Sequence, residues 1–233
     1  MIDLHLHTTA SDGALAPSEL VNKARAAGLS IISITDHDTT AGVDAARAAA
    51  QVAGIELIPG VEVTAVDGGR DTHILGYFID TTSEDLRAFL ERQRADRLRR
   101  LTEMRDRLAA LGCPIDTREI LEAARRGQSV GRPQIANALL AAGHAQTRDE
   151  AFDRFLSASG PAHVPRTGAP AAAVVKLIHD AGGLASLAHP GPSGRDDLIP
   201  ALTANGLDAL EARHIDHDAA NEARYRRLAA ELG

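Results

Sequence analysis

Histidines and carboxylates stand beside short apolar segments in several parts of this 233-residue chain. His5 and His7 are two positions apart in an alternating segment, so both would project from the same face of a strand. The others, each at or near the end of an apolar segment, are Asp12, His37, Glu62, His73 and His189. One such residue is usually a hydrogen-bonded structural group, but several clustered together need a cation to offset their burial. We therefore predict that these residues bind metal.

The donor types in this set restrict the metal and its chemistry. Imidazole and carboxylate ligands without a thiolate suit manganese, iron or zinc better than calcium. The candidates exceed the ligands of one tetrahedral ion, which predicts a centre with more than one metal. Two ions about 3.5–4 Å apart stabilise both the entering and the leaving oxygen of a phosphoryl displacement. The residue types thus favour metal-assisted hydrolysis of a phosphate ester.

The elements that would position these residues alternate between strands and helices. Apolar or alternating segments predict strands at 2–6, 31–35, 55–58, 61–66, 72–79, 184–188 and 207–212. Helical periodicity and end signals predict helices at 17–27, 42–53, 170–181, 197–205 and 218–232. This alternation favours a mostly parallel α/β architecture. In parallel barrels the reactive groups lie at the carboxyl ends of the strands, where the candidate ligands occur.

A helical block interrupts the alternation. The pattern predicts one long helix over 84–111, followed by helices at 116–126, 133–142 and 147–157. We therefore divide the chain into a barrel formed by 1–82 and 160–233 and an all-helical insertion at 83–159 that would cap the substrate. Arginines on the long helix alternate with acidic residues, which is typical of a solvated helix with salt bridges.

Successive motifs then give a resemblance to a known family. They are Asp3-Leu4-His5-Leu6-His7-Thr8, Ser11-Asp12-Gly13, Ile34-Thr35-Asp36-His37-Asp38, Pro59-Gly60-Val61-Glu62-Val63 and Ala188-His189-Pro190. Together they resemble the motifs of the PHP (polymerase and histidinol phosphatase) domain. The resemblance implies a distorted (β/α)7 barrel, similar to a TIM barrel, with three divalent metal ions. These are commonly manganese, with zinc and iron as alternatives.

The same resemblance divides the predicted ligands among three ions. The sets are His5, His7 and Glu62 for the first ion, Glu62, His73 and His189 for the second, and Asp12 and His37 for the third. Glu62 would bridge the first two ions. The family completes its ligands with a Gly-Ser-Asp-x-His motif one strand further on, and this motif is absent from the sequence. We therefore expect the chain to lack the C-terminal strand of the barrel and two ligands.

Two further segments point to a subgroup of the family. Residues 131–136 and 161–166 are similar to those of small bacterial PHP enzymes that act as 3′,5′-nucleoside bisphosphate phosphatases. Some members of that subgroup also trim RNA as 5′→3′ exoribonucleases. On this resemblance Arg132 and Arg166 are predicted to bind substrate phosphates. Arg132 would lie at a helix N-terminus, where anions are favoured.

Gln134 and His217 are the remaining candidates of the predicted site. Gln134 stands where the subgroup usually has a histidine, and we expect it to contact the substrate. His217 matches a family histidine, although the segment around it departs from the family pattern. The predicted catalytic residues are thus His5, His7, Glu62, His189 and His217. The proton donor for the leaving oxygen is left open between a water molecule and His217.

Composition restricts the class of protein and of partner. The chain is 44% hydrophobic and 24% charged, as in soluble globular proteins. Its net charge of −7 disfavours a surface for long nucleic acids or membranes. We expect neither a signal peptide nor a membrane-spanning segment, and the single cysteine, Cys113, excludes an internal disulfide framework. A cytoplasmic protein without an obligate protein partner is expected.

The predicted activity is hydrolysis of the 5′-phosphate of 3′,5′-nucleoside bisphosphates such as adenosine 3′,5′-bisphosphate. Short RNA is a second expected substrate, for a 5′→3′ exoribonuclease activity. One alternative is a histidinol-phosphate-type PHP phosphatase, against which Arg132 and Arg166 argue. The other is a catalytically inactive PHP module that binds metal or nucleotide, which the absent final motif favours.

Overall fold

A curled six-stranded sheet forms a half-barrel in which the strands lie side by side in chain order. The computed structural model describes residues 1–232, apart from the side chain of Ser193. Its strands are β1 (Ile2–Leu6), β2 (Ile31–Ile34), β3 (Glu56–Asp67), β4 (Arg70–Tyr77), β5 (Leu184–Leu187) and β6 (Ala209–Leu210). The pairs β1–β2, β2–β3 and β5–β6 are parallel. The predicted α/β class is confirmed.

The expectation of a mostly parallel sheet is wrong for β4, which is antiparallel to both β3 and β5. Gly68 and Gly69 join β3 to β4 with φ angles of +59° and +76°. A two-residue turn with positive φ at both positions matches the twist of an antiparallel hairpin. The hairpin therefore replaces the helical crossover that a parallel connection would need.

Strand β3 also corrects a boundary. The segments 55–58 and 61–66 were expected to be two strands around Pro59-Gly60, but they form one continuous strand of 12 residues. Gly60 passes very close to β2, since a Cβ atom there would lie 2.3 Å from Ser33 Oγ. The glycine thus permits a close strand contact and does not mark a turn.

Two helices pack on the sheet at the end formed by β1 and β2. Near β1 and β2 lie α1 (Pro17–Ala26) and α2 (Val43–Ala53), whose apolar faces pack on Ile32 and Ile34. The burial of this face follows from the apolar positions Val21, Ala24 and Ala46.

The helical block between β4 and β5 starts with the predicted long helix, α3 (Glu84–Ala110). It continues through α4 (Arg118–Arg125), α5 (Arg132–Ala141) and α6 (Arg148–Ala151), which runs into a π-helix at Phe152–Leu156. These helices share a separate apolar cluster that includes Leu101, Leu108, Ile135 and Leu139.

The last part of the chain returns to the sheet. It contains α7 (Ala171–Asp180), α8 (Pro190–Ser193), a short 3₁₀ turn at Asp196–Leu198, α9 (Ile199–Ala204) and α10 (Ala219–Leu232). Strand β6 has only two residues, fewer than the predicted 207–212. Among the described residues, no helix is both long enough and apolar enough to cross a membrane.

Candidate metal centre

The predicted ligands meet where β1, β2 and β5 end, around Glu62 of β3. His5 lies in β1, and His7 is the first residue after this strand. The Nε2 atoms of the two histidines are 3.1 Å apart. Both rings face Glu62 Oε2, which lies 3.4 Å from His5 Nε2 and 3.0 Å from His7 Nε2. Because Glu62 is only 1% exposed, its carboxylate depends on these neighbours rather than on water.

Three more histidines contact the same carboxylate. His37, after β2, places Nδ1 3.0 Å from Glu62 Oε2. On the opposite side, Glu62 Oε1 lies 2.7 Å from His73 Nδ1 and 3.0 Å from His189 Nε2. Each oxygen of Glu62 therefore faces its own group of imidazoles, which is the arrangement of a carboxylate that bridges two ions.

Asp12 extends the cluster on the side of His7. Its Oδ1 lies 2.8 Å from His7 Nδ1, and its Oδ2 lies 3.7 Å from His37 Nε2. The loop that carries Asp12 is fixed by buried Asp36, which accepts hydrogen bonds from Thr8 N at 2.7 Å and from Ser11 Oγ at 2.6 Å. The structure thus places all seven predicted ligands around one cleft.

The geometry of these donors fits metal ions. Ligand atoms bonded to one ion at about 2.1 Å lie roughly 3.0–3.4 Å from each other. The contacts of Glu62 Oε2 with His5, His7 and His37 span 3.0–3.4 Å. Moreover, Glu62 Oε2 and His37 Nδ1 are buried and have no correctly oriented hydrogen bond with any residue that the structure describes, although they lie 3.0 Å apart. A cation between such atoms would satisfy both.

Charge in the cluster also favours cations. Burial lowers the pKa of His5, but hydrogen bonds with Glu211 and Glu62 raise it overall to about 9. Burial likewise lowers the pKa of His7, but Asp12 and Glu62 raise it overall to about 10. Burial raises the pKa of Glu62, yet the surrounding histidines hold this pKa well below its usual range. The carboxylates therefore stay ionised and attract positive charge.

The two predicted phosphate-binding arginines contact carboxylates that are close in sequence to predicted ligands. Arg132 is the first residue of α5, and its side chain lies 3.7 Å from Asp71 Oδ2. The side chain of Arg166 is only 7% exposed and lies 3.5 Å from Asp38 Oδ2 and 3.6 Å from Asp71 Oδ2. Its Nε is buried without a hydrogen-bond partner among the described residues. Asp38 directly follows His37, and Asp71 lies two residues before His73 on β4. The two arginines therefore concentrate positive charge on residues that are close in sequence to these histidines.

The expectation that the arginines of α3 form only a solvated face is wrong for Arg97 and Arg100, which are buried. Arg97 Nε donates a 2.6 Å hydrogen bond to Asp38 Oδ2. Arg100 Nε donates to the backbone oxygen of Val164 at 3.0 Å. These arginines attach the helical block to the residues that flank the metal centre.

Residues 3–160 match the sequence model of the PHP domain. The chain belongs to the PHP domain family. A 5′-3′ exoribonuclease of Haemophilus influenzae is 40% identical over 188 residues, 81% of this chain and 68% of the relative. A phosphoribosyl 1,2-cyclic phosphate 1,2-diphosphodiesterase of Eggerthella lenta is 34% identical over 97% of this chain and 88% of its own length.

Two further similarities agree on the class of enzyme. A 3′,5′-nucleoside bisphosphate phosphatase of Chromobacterium violaceum is 35% identical over 93% of this chain and 78% of the relative. A crystal structure from Bifidobacterium adolescentis, of a protein predicted to be a metal-dependent phosphoesterase, superposes with a TM-score of 0.90 and 36% identity. The match covers 99% of this chain and 83% of that one. The prediction of a metal-dependent phosphoesterase, a hydrolase, is confirmed.

Two residues of this PHP domain site were missed from the sequence. Glu211 follows β6 and lies 3.0 Å from His5 Nδ1, and it also accepts a 2.8 Å hydrogen bond from His189 N. The ring centroid of His214 is 5.6 Å from that of His5 and 5.2 Å from that of His189. A carboxylate at the end of a strand was the available signal, since it is the same signal that identified the other ligands.

His217 lies outside the group of histidines around Glu62. Its Nε2 accepts a hydrogen bond from Gly191 N at 3.1 Å, and its Nδ1 lies 2.9 Å from the carbonyl oxygen of Ala212. Both ring nitrogens are thus engaged with the backbone, which fixes the turn after His189.

Gln134 connects the helical block to the rim of the sheet. Its Nε2 donates to the backbone oxygen of Ser11 at 2.8 Å, and its Oε1 accepts from Gly131 N at 2.8 Å. The side chain therefore holds the start of α5 against the loop that carries Asp12.

Proposed function

We propose that this PHP domain hydrolyses the 5′-phosphate of 3′,5′-nucleoside bisphosphates, with adenosine 3′,5′-bisphosphate as the reference substrate. The observation that carries the proposal is that Arg132 and Arg166 both contact Asp71, two residues before His73 on β4, and that Arg166 also contacts Asp38, which directly follows His37. The cluster around Glu62 offers ligands for metal ions, and the two arginines offer cationic hydrogen-bond donors. Each of the two phosphates of one substrate would therefore have its own partner. The similarity to the Chromobacterium violaceum phosphatase supports this choice.

The proposed metal content is three manganese ions, with zinc or iron as alternatives. His5 and His7 with Glu62 Oε2 would hold one ion, and His73 and His189 with Glu62 Oε1 would hold a second. Asp12 and His37 would contribute to a third. When bound, the ions supply a nucleophilic hydroxide at neutral pH and neutralise the charge that develops on the phosphate.

The protein groups bind and orient the substrate. The guanidinium of Arg166 is held by Asp38 and Asp71, so it is already oriented before a phosphate arrives. Arg132 adds a second cation at the N-terminus of α5, where backbone N–H groups also favour an anion. Gln134 would act by holding this helix start and by lining the substrate cleft.

The proton donor for the departing 5′-oxygen is a water molecule or His217. The hydrogen bonds of His217 with Gly191 and Ala212 occupy both of its nitrogens, so proton transfer from this ring would require that the turn at Gly191 moves. This arrangement favours water as the donor and a positioning role for His217.

In this proposal the half-barrel of 1–82 and 160–233 carries the metals as part of a (β/α)7 barrel, and 83–159 form a cap. The contacts that support a cap are those of Gln134 with Ser11 and of Arg97 with Asp38. They attach the helical block to the two loops that carry Asp12 and His37.

A second candidate activity is 5′→3′ exoribonuclease action on short RNA, which the 40% identity with the Haemophilus influenzae enzyme favours. The same centre would attack the phosphodiester that follows the 5′-nucleotide. This activity needs no residues beyond those proposed above.

Phosphate release from adenosine 3′,5′-bisphosphate by the Mn²⁺-loaded protein tests the proposal. Histidinol phosphate and a 5′-phosphorylated ribo-oligonucleotide are assayed beside it, and the Glu62→Gln variant serves as the inactive control. The expected result is preferred turnover of the bisphosphate. No turnover by protein that has bound metal would refute the proposal, whereas preferred turnover of the oligonucleotide would establish the second candidate.

A further inference from the structure

A cavity of about 280 Å³ adjoins the metal centre on the side of Asp12. We call it the α5 cavity, and it lies between the loop at 9–13, helix α4 and the start of α5. Drug-sized ligands occupy pockets of about 300–1,000 Å³, so this cavity suits one flat ring system rather than a whole nucleotide.

The walls of the α5 cavity offer apolar surface to the faces of a ring. Ile120 and Ala123 of α4 line one part of the cavity, and Val130 and Pro133 line another. A planar heterocycle between such side chains would bury its faces against carbon atoms, while its polar edge would need hydrogen-bond partners.

Such partners are present at the wall of the cavity. The side-chain amides of Gln128 and Asn137 line it and make no hydrogen bond within the part of the chain that the structure describes. An amide offers both a donor and an acceptor, as the edges of nucleobases do. The two amides are therefore available to bind the polar edge of a ring.

The cavity is built in place and shares a wall with the metal centre. Ser129 N donates to the backbone oxygen of Ala10 at 2.8 Å, and Gln134 Nε2 donates to that of Ser11 at 2.8 Å. These bonds hold the loop against α5. Asp12 lines both the cavity and the cleft of the predicted ligands, so a group in the cavity would lie next to a phosphate at the ions.

We propose that the α5 cavity binds the nucleobase of the substrate, an inference that rests on the proposed nucleotide phosphatase function. Ring stacking against the apolar walls provides affinity, and the side-chain amides of Gln128 and Asn137 bind the polar edge. Substrates that lack a base would therefore lose a specific part of their binding energy.

The test uses two ligands that cannot be hydrolysed. One is an adenosine 3′,5′-bisphosphate analogue with a methylene group in place of the 5′-bridging oxygen, and the other has hydrogen in place of the base. Their affinities for the Mn²⁺-loaded protein are measured by calorimetry. We expect the analogue with the base to bind at least about tenfold more tightly.

Two variants locate the difference. Ala123→Leu fills the cavity and is expected to remove the preference for the base without changing the affinity for the base-free ligand. Asn137→Ala is expected to weaken only the binding of the ligand with the base, by about three- to tenfold, because one hydrogen bond is lost. Ala141→Leu makes the same change as the first variant at an exposed position of α5 and should change neither affinity.

The outcomes separate this inference from the phosphatase function. Equal affinities of the two ligands for the unchanged protein would overturn the inference, as would equal losses for both ligands in Ala123→Leu. Selective loss of the base-dependent affinity in a protein that fails to release phosphate would support the cavity as a base site and refute the phosphatase function. Thermal unfolding of each variant confirms that it is folded.

Discussion

The carboxylate of Glu211 lies 3.0 Å from Nδ1 of His5, on the side of the ring that faces away from Glu62. Its other oxygen accepts the backbone N–H of His189, a residue held at a φ of +26°. One carboxylate therefore orients ligands of both proposed ions that Glu62 would bridge.

Glu211→Gln is expected to weaken Mn²⁺ binding by about 10–100-fold, because outer partners set the orientation and basicity of ligating histidines. Competition with a fluorescent chelator measures the affinity. Glu231→Gln, at an exposed position of α10, is the matched control and should leave the affinity unchanged. Equal affinities in the two variants would contradict the role of Glu211.

A substitution of Arg166 tests the proposed role of this residue in binding a substrate phosphate. Arg166→Lys keeps the charge but loses the planar fork that Asp38 and Asp71 orient, so it is expected to lower kcat/KM for the bisphosphate by about tenfold or more. Arg118→Lys, at a side chain 86% exposed, is the control. An unchanged kcat/KM together with a lower melting temperature would mean that Arg166 has only a structural role.

The clustering of the predicted ligands could be foreseen because its signals are local. The spacing of His5 and His7 places them on one face of a strand, and His37 and His189 directly follow apolar segments. The sequence also contained the signal for the β3–β4 hairpin, in Gly68-Gly69, but the regular alternation of strands and helices outweighed it.

The pairing of Arg97 with Asp38 could not be predicted in the same way. The two residues are 59 positions apart, and the charge pattern of α3 is the same for a solvated arginine and for a buried one. Whether an arginine of α3 is solvated or buried depends on how α3 packs against the end of β2. Glu211 was missed because the strand predicted at 207–212 places it inside the strand, whereas β6 ends at Leu210 and Glu211 directly follows it.

Metal binding is expected to release protons at neutral pH. The pKa values of His5 and His7 are raised to about 9 and about 10, so both rings carry protons near pH 7, whereas a ligating imidazole must be neutral. Protons compete more strongly as the pH falls, so the apparent affinity for Mn²⁺ should increase with pH up to about 9. Calorimetry in two buffers with different ionisation enthalpies measures the protons released. An affinity that is independent of pH would contradict this expectation.

Asp38 links the metal centre to the stability of the fold. It is fully buried, and its Oδ2 accepts a 2.6 Å hydrogen bond from Arg97 Nε while its Oδ1 accepts one from Thr64 N at 2.8 Å. Burial alone would raise the pKa of Asp38, but the charges of Arg97 and Arg166 lower it by a larger amount, so the net shift is downward. An asparagine tolerates the φ of +50°, but Asp38→Asn removes the negative charge that Arg97 and Arg166 face, which should cost about 3–5 kcal/mol of unfolding free energy.

The direction of the pKa shift fixes how this loss depends on pH. A lowered pKa stabilises the fold above the unfolded value of about 3.9, and the contribution is lost as the pH falls through the lower folded value. Urea unfolding should therefore show a constant difference between the unchanged protein and Asp38→Asn from about pH 7 to about pH 5, and a smaller difference below roughly pH 3.9. Asp106→Asn, which removes an exposed ion pair with Arg105, should cost less than about 1 kcal/mol throughout. A difference for Asp38→Asn that grows on acidification would show that the carboxylate is not ionised in the folded protein.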